Sequence, residues 1–245
     1  MKIKNQASST QILKKIAPNL VLGVLALSVG ILCLSPTQNE ILTEGVQTNL
    51  YYSAGDNGKG ISLMFNVYSG TDEVYQILEV LEKFNARASF FIGGCWADDN
   101  TACLKSIYLA GHELGNHGYF HKDHKALNLL ENQKEIATCN RLIELTVGIA
   151  PTLFAPPSGA YGKATISACE ALNMKTILWS KDTIDWRDQD EGKIYARATK
   201  NAVKGDFVLM HPTKATVAAL DDILQYYNSL NIKLVTVSEN LQELI

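Results

Sequence analysis

The stretch ELGNHGYFH, residues 113–121, indicates both the fold of this chain and the place of its chemistry. A short apolar segment, predicted as a strand over 112–115, runs directly into His117 and His121, which stand four residues apart. Two imidazole nitrogens at this spacing can bind one metal ion, although such pairs taken alone are more often ordinary surface residues. The rest of the chain has to show whether this pair lies beside other reactive groups.

Short apolar segments alternate with helical segments on both sides of this stretch. Predicted strands cover residues 61–67, 86–92, 112–115, 152–155, 175–179, 206–210 and 233–237. Predicted helices follow them in turn over 71–85, 101–110, 127–147, 163–172, 192–203, 215–230 and 239–244. No tight hairpin joins two long strands, so the pattern predicts an α/β fold with a parallel sheet covered by helices. An open doubly wound sheet and a closed barrel both fit, and seven short strands favour an irregular (β/α)7 barrel.

Polar and aromatic residues gather where the predicted strands end. In a barrel, the loops that follow the strands meet at one face and carry the chemistry. The residues at these positions are Asn66 after the first strand, His117 and His121 after the third, Ser158 after the fourth, Asp185 and Trp186 after the fifth, and His211 after the sixth. Three of the five histidines in the chain therefore lie at one face, which predicts an active site there.

Composition narrows the classes of function. The chain has 245 residues, 47% of them hydrophobic, which is enough for one sizeable core. Its formal net charge is -3 and no long basic run appears, so a nucleic-acid partner is not expected. The five cysteines form no CxxC pair, which argues against a cysteine zinc site. A disulfide between Cys95 and Cys103 stays open at this stage.

The N-terminal part of the chain differs from the rest. Residues 19–35 carry no charge and follow several lysines, and as a helix they would extend about 25 Å. We expect 1–18 to be a cytoplasmic N-terminus, 19–35 a transmembrane signal anchor or a signal peptide, 36–60 a linker, and 61–245 the barrel. The absence of an A-x-A pattern favours the anchor. The chain would then cross the cell membrane once with the barrel outside, or be secreted if the segment is cleaved.

Four segments resemble, in order, the motifs of the polysaccharide deacetylase family, also known as the NodB-homology domain or carbohydrate esterase family 4. The segment GNHGYFH at 115–121 resembles H-[ST]-x-x-H, with glycine in the Ser/Thr place. FAPPSGAY at 154–161 resembles the R-x-P-Y segment, DTIDW at 182–186 matches D-x-x-D-W, and LMHP at 209–212 resembles L-x-H. The resemblance covers nearly all of residues 60–245.

The resemblance implies a (β/α)7 barrel that removes acetyl groups from an N-acetylated glycan such as peptidoglycan or a chitin-like oligosaccharide. It also implies a divalent metal, zinc or a similar ion, that activates a water molecule. Carried over to this sequence, the implied roles are metal ligands for His117 and His121, general acid for His211, orientation of that acid for Asp185, an oxyanion-binding N–H for Ser158, and walls of the acetyl pocket for Trp186 and Leu209.

The first and third motifs depart from the family pattern. The family has T-F-D-D-G, whereas this chain has MFNVYSG at 64–70. Asn66 takes the place of the aspartate base and cannot accept a proton, and Val67 takes the place of the metal-binding aspartate. Ala155 replaces the arginine that pairs with the base. Asp72 or Glu73 could substitute, but acidic residues are expected in the first turn of any helix.

Two hypotheses follow. The first is a metal-dependent hydrolase of carbon–nitrogen bonds in non-peptide amides that deacetylates a cell-wall or related polysaccharide, and the retained Asp185 and His211 favour it. The alternative is a catalytically impaired deacetylase-like protein that binds glycan or acts as a scaffold at the cell surface, which the changes at Asn66, Val67 and Ala155 favour. Hydrolysis of another amide by the same barrel is a weaker third possibility.

Overall fold

A computed structural model describes residues 49–242 of the chain. The strands within this range are β1 (Leu50–Tyr51), β2 (Ser62–Val67), β3 (Ser89–Ile92), β4 (Glu113–Asn116), β5 (Leu153–Phe154), β6 (Lys175–Ile177), β7 (Lys181–Asp182) and β8 (Phe207–Met210). The helices are α1 (Thr71–Lys83), α2 (Gly94–Asp99), α3 (Thr101–Leu109), α4 (Leu129–Val147), α5 (Lys163–Ala171), α6 (Glu191–Thr199), α7 (Lys214–Ser229) and α8 (Val237–Leu241).

The strands form one parallel sheet in the order β1-β6-β5-β4-β3-β2-β8-β7. The segment that follows β1 then crosses to the start of β8, where Ser53 bridges Asp206 and the N–H of Ala54 donates to the carbonyl of Gly205. The sheet is therefore curled, with helices packed on its outside. The prediction of an α/β fold with a parallel sheet covered by helices is confirmed. The predicted seven-stranded barrel is seen in the described part of the chain as a curled sheet of eight strands.

The structure differs from the predicted element list in four places. The two-residue strands β1 and β7 and the short helix α2 were not predicted, because segments so short carry no periodic pattern. The predicted last strand, 233–237, is reduced to a single bridge between Ile61 and Leu234. The chain leaves the sheet there because Thr236 caps α8, and its side chain accepts a hydrogen bond from the N–H of Glu239.

Alternation along the strands separates two apolar layers. On β2, Leu63, Phe65 and Val67 belong to the large cluster between the sheet and the helices. Met64 belongs instead to a second cluster inside the curl. Its other strand members are Phe91, Leu153, Ile177 and Phe207. Val237 and Leu241 of α8 belong to the same cluster. Since successive side chains of a strand point to opposite faces, the residue after Phe65 faces the interior and the residue after that faces the helices.

Most of the predicted N-terminal regions lie outside residues 49–242. The expected anchor at 19–35 and the expected cytoplasmic segment at 1–18 lie outside the described residues. Within 49–242, no helix combines the length and the apolar character that a membrane crossing requires. Residues 50–60, assigned to the linker from composition, contribute β1 and the buried Ala54, so the folded domain begins before residue 61.

The thiols of Cys95 and Cys103 are both free, so the structure does not contain the disulfide that the sequence left open. Cys103 is buried in the outer apolar layer, and this burial raises the pKa of its thiol to about 11.

His112, just before β4, is a buried histidine whose hydrogen bond requires an uncharged imidazole. Its Nδ1 accepts a hydrogen bond of 3.3 Å from the N–H of Ala88, and its ring packs against Phe90. Burial, helped by the nearby Arg87 charge, lowers its pKa from 6.5 to about 4. Between these values the unfolded chain binds more protons than the folded chain, so stability falls as the pH falls.

We predict that the full-length chain loses stability when the pH is lowered from neutral to about 4.5. In His112→Asn this loss should be smaller by about 2 kcal/mol, because an amide oxygen can accept the same hydrogen bond without titrating. Urea unfolding of both proteins at the two pH values measures the difference. An equal loss in the wild type and the variant would contradict the assignment.

Candidate functional site

The interior face of the sheet places the candidate residues around one mouth. Asn66 follows Met64 by two residues on β2, so it faces the interior at the carboxyl end. By the same alternation, Leu209 follows Phe207 on β8, and His211 comes two residues later. Leu209 also pairs in register with Met64. Asn66, Leu209 and His211 therefore share the interior face of two neighbouring strands.

His117 is a fully buried member of this mouth. Its Nδ1 lies 2.7 Å from the carbonyl oxygen of Ala155. A carbonyl can only accept, so Nδ1 carries the proton and Nε2 carries the lone pair. Burial first, and then the neighbouring His121, lowers the pKa of His117 to about 3. At neutral pH this imidazole is therefore uncharged and presents an acceptor.

His121 lies at the exposed rim of the mouth with its ring centroid 5.1 Å from that of His117. Its backbone adopts φ 53°, the left-handed region, so the loop turns back towards the mouth. The ring of Tyr68 packs against it at 4.8 Å. Partial loss of water around His121 lowers its pKa, with the nearby His211 acting in the same direction. The structure brings the two histidines together as the sequence predicted.

Polar groups on the inner side of α4 fix this histidine loop. Glu135 is buried, and its carboxylate accepts from the N–H of Phe120 at 2.9 Å and pairs with Lys122 at 2.9 Å. Asn132 accepts from His124 at 2.7 Å and donates to its carbonyl. His124 is thus buried and structural. No sequence pattern indicated Glu135, because a polar residue on the inward side of a helix looks the same in sequence as one that faces solvent.

The pair Asp185 and His211 is formed as the D-x-x-D-W and L-x-H segments imply. Oδ1 of Asp185 lies 2.7 Å from Nδ1 of His211, and Oδ2 accepts from the backbone N–H of His211 at 2.5 Å. Thr216 of α7 donates a further bond of 2.6 Å to Oδ2. The aspartate is fully buried, and these three bonds fix the position of its carboxyl group. Nε2 of His211 is left for the mouth. No sequence motif indicated Thr216.

The loop that carries Asp185 is held in a strained turn. Ile184 adopts φ 54°, which is unusual for a β-branched residue, and its N–H donates to Oδ1 of Asp182 at 2.8 Å. Arg197 of α6 secures the same loop by donating to the carbonyl of Thr183 at 2.8 Å. The turn leaves Trp186 on the rim with 59% of its surface exposed. Whether Trp186 and Leu209 wall an acetyl pocket stays a prediction.

Ser158 lies in the short 3-10 turn Pro157–Gly159, with φ 55°. In the described part of the chain its N–H donates to no other group, while the next two residues, Gly159 and Ala160, donate to Pro156 and Pro157. The turn therefore offers one free backbone donor at an exposed position. This fits the predicted oxyanion role, which stays a prediction.

The altered first motif has a clear structural consequence. Asn66 is only 4% exposed, and its Oδ1 has no hydrogen-bond partner among the described residues. Val67 is fully buried and points away from the mouth into the apolar layer under the helices. Asp72 and Glu73 lie in the first turn of α1. Neither completes a cluster, since residues 49–242 contain no group of three His, Cys, Asp or Glu side chains that could hold a metal ion.

The residues at the mouth therefore do not fit the metal site that the resemblance implies. That site needs one carboxylate beside two imidazoles. His117 and His121 supply the imidazoles, but the interior position of β2 carries a carboxamide, and the following residue is an outward valine.

Comparisons with known proteins agree with the geometry. The sequence profile described as polysaccharide deacetylase matches residues 53–177. The protein YlxY of Bacillus subtilis is 31% identical over 209 residues, which cover 85% of this chain and 66% of that relative. A peptidoglycan-N-acetylglucosamine deacetylase of Bacillus cereus is 33% identical over 197 residues, with 76% of this chain and 90% of the relative covered.

Among solved structures, BA3943 of Bacillus anthracis, described as a CE4 family pseudoenzyme, matches with a TM-score of 0.77 and 33% identity over 81% of this chain and 70% of that one. A mutant of BA3943 with restored enzymatic activity matches with the same TM-score, 31% identity, and 81% and 73% coverage. The matched profile, the shared fold and the retained motifs together show that this chain belongs to the polysaccharide deacetylase family, as a divergent member.

Proposed function

We propose that this chain binds an N-acetylated glycan of the peptidoglycan or chitin type at the barrel mouth and is impaired in deacetylating it. One observation carries the proposal. Strand β2 turns Asn66 inward and Val67 outward, so the two histidines of the mouth stand without the carboxylates that the reaction needs.

Hydrolysis of an acetamide needs a group that takes a proton from water. A carboxamide at residue 66 cannot do so at any ordinary pH. His117 is also a poor base, because burial holds its pKa near 3 and a weakly basic group drives proton transfer poorly. The arginine that would pair with an aspartate base is also absent, since Ala155 is buried in the interior cluster instead.

Groups suited to binding are nevertheless retained. Ser158 offers an unpaired backbone N–H, His211 offers a ring nitrogen held in place by Asp185, and Trp186 offers an exposed indole at the rim. Sugars combine hydroxyl groups with apolar ring faces, so donors, acceptors and aromatic rings suit them. The names of the relatives support the substrate class, since the B. cereus protein is a peptidoglycan-N-acetylglucosamine deacetylase. The likeness to BA3943, described as a pseudoenzyme, supports the impairment.

A second candidate function is a working metal-dependent deacetylase, with zinc or a similar divalent ion. The Asp185–His211 pair favours it, because a histidine oriented by a carboxylate can transfer protons to and from a substrate. We place this candidate second, since the residues of the mouth do not supply the third ligand that such an ion needs.

The same proposal places the glycan outside the cytoplasm. Peptidoglycan lies outside the membrane, and the uncharged segment 19–35 with its preceding lysines would anchor the chain there with the barrel facing the wall.

Aspartate at position 66 should create a metal site. The family pattern has its metal-binding aspartate at the position of Val67, but in this structure Val67 faces the outer apolar layer and residue 66 faces the mouth. Asn66→Asp puts a carboxylate on the interior face beside His117, and we expect it to bind Zn²⁺ or Co²⁺ at least about tenfold more tightly than the wild type does. Isothermal titration of the full-length proteins measures the affinities.

Val67→Asp is the matched control, because it adds the same charge one residue away on the opposite face. It should not improve metal binding, and it should cost about 3 kcal/mol of stability by burying a carboxylate among apolar side chains. If Val67→Asp tightened metal binding as much as Asn66→Asp, the orientation of β2 described here would be wrong.

Binding and turnover should separate in the wild type. We expect the full-length chain, with Co²⁺ present, to bind acetylated chitotetraose or N-acetylated muropeptides while releasing no acetate above the rate of a His211→Ala control. Titration calorimetry and an acetate assay on the same samples provide the two readouts. Acetate release that disappears in His211→Ala would support the second candidate and overturn the first.

A further inference from the structure

The carboxamide of Asn66 is an unexplained buried group. Its Oδ1 is enclosed at the carboxyl end of β2 and has no donor among the described residues. A buried acceptor without a partner destabilises the fold, so such groups in folded proteins find a donor from the protein, water or a ligand. Since Asn66 faces the mouth, a ligand with an N–H directed inward would supply that donor.

Tyr68 follows Asn66 by two residues, just beyond the end of β2, and lies at the same mouth through its contact with His121. Its ring lies against Gly93 and against the ring of His121. A Cβ at position 93 would come within 2.2 Å of Cδ2 of Tyr68, so only glycine leaves room for the ring there. Tyr68 keeps 36% of its surface exposed. The structure therefore holds an aromatic ring in place at the mouth and leaves part of it open.

We propose that Asn66 and Tyr68 form a subsite for an intact N-acetylhexosamine, in which Oδ1 of Asn66 accepts the acetamido N–H and the ring of Tyr68 packs against the apolar face of the sugar. The inference rests on the proposed function and deepens it, because it assigns the preference for an acetylated sugar to two residues of the altered motif. Tyr68 corresponds to none of the family positions that the resemblance carries over.

The lack of charge at residue 66 gives this subsite its selectivity. A deacetylated sugar carries an ammonium group, which loses water on entering the mouth and needs a negative partner. An aspartate at this position would provide that partner, whereas a carboxamide does not. An acetamido group is neutral, so its N–H can use the Asn66 oxygen without this cost. The asparagine should therefore select the acetylated sugar over its deacetylated product.

The test is calorimetric titration of the full-length chain with two sugars in EDTA at neutral pH. One is the fully N-acetylated tetramer, chitotetraose, and the other is the fully deacetylated chitosan tetramer. We expect about tenfold tighter binding of the acetylated tetramer, since one well-placed neutral hydrogen bond and one avoided desolvation amount to roughly 1.4 kcal/mol. Asn66→Asp should reverse or abolish the preference, and Tyr68→Ala should weaken binding of chitotetraose by about tenfold.

Two matched variants separate these effects from general damage. Tyr68→Phe keeps the ring and should bind nearly as the wild type does. Tyr75→Ala removes a tyrosine of similar exposure, 39%, from α1 and should leave affinity unchanged. Melting curves verify that every variant is folded.

The possible outcomes are distinct. If the wild type binds both tetramers equally, or if Tyr68→Ala and Asn66→Asp bind chitotetraose as the wild type does with unchanged preference, the subsite is wrong while glycan binding stands. If the wild type binds no N-acetylated glycan, the proposed function fails together with the subsite. Loss of binding in EDTA would also overturn the inference, because the subsite as described uses only side chains of the protein.

Discussion

The two-residue alternation of strand β2 is the constraint on which the rest of this site depends. Phe65 and Val67 must fill the layer under the helices, and Met64 must fill the interior of the curl, so residue 66 alone on this strand faces the mouth from within. The chain places a neutral carboxamide at that position. Asn66 removes the charge of the base, and Val67, at the family's metal-binding position, adds to the outer apolar layer instead of the mouth.

The rest of the mouth is held in its conformation by hydrogen bonds that do not involve residue 66. Glu135 and Asn132 of α4 hold the histidine loop, and Asp185 holds His211 through bonds that also involve Thr216. Breaking any of these would leave a buried polar group unpaired, at a cost comparable to a substantial part of a domain's stability. Stability alone would therefore preserve much of a deacetylase-like geometry after the reaction had become slow. The retained Asp185–His211 pair is compatible with a binding protein for this reason.

The sequence predicted a large part of this arrangement. The parallel α/β architecture followed from the alternation of segments, and the approach of His117 to His121 followed from their position after a strand. The outward direction of Val67 could also be derived from strand periodicity once β2 was located. Other features depend on contacts distant in sequence. The packing of Tyr68 on Gly93 and the bond from Thr216 to Asp185 involve loops and a helix that no local pattern brings together.

The central claim is that the mouth has lost the metal site of its family, and the metal content of the purified full-length chain tests it most directly. After equilibration with excess Zn²⁺ and exhaustive dialysis, elemental analysis should find far less than one metal ion per chain, with no difference between the wild type and His117→Ala. One equivalent of zinc retained by the wild type and lost in His117→Ala would contradict the account, because the two histidines would then hold a metal without a carboxylate at residue 66.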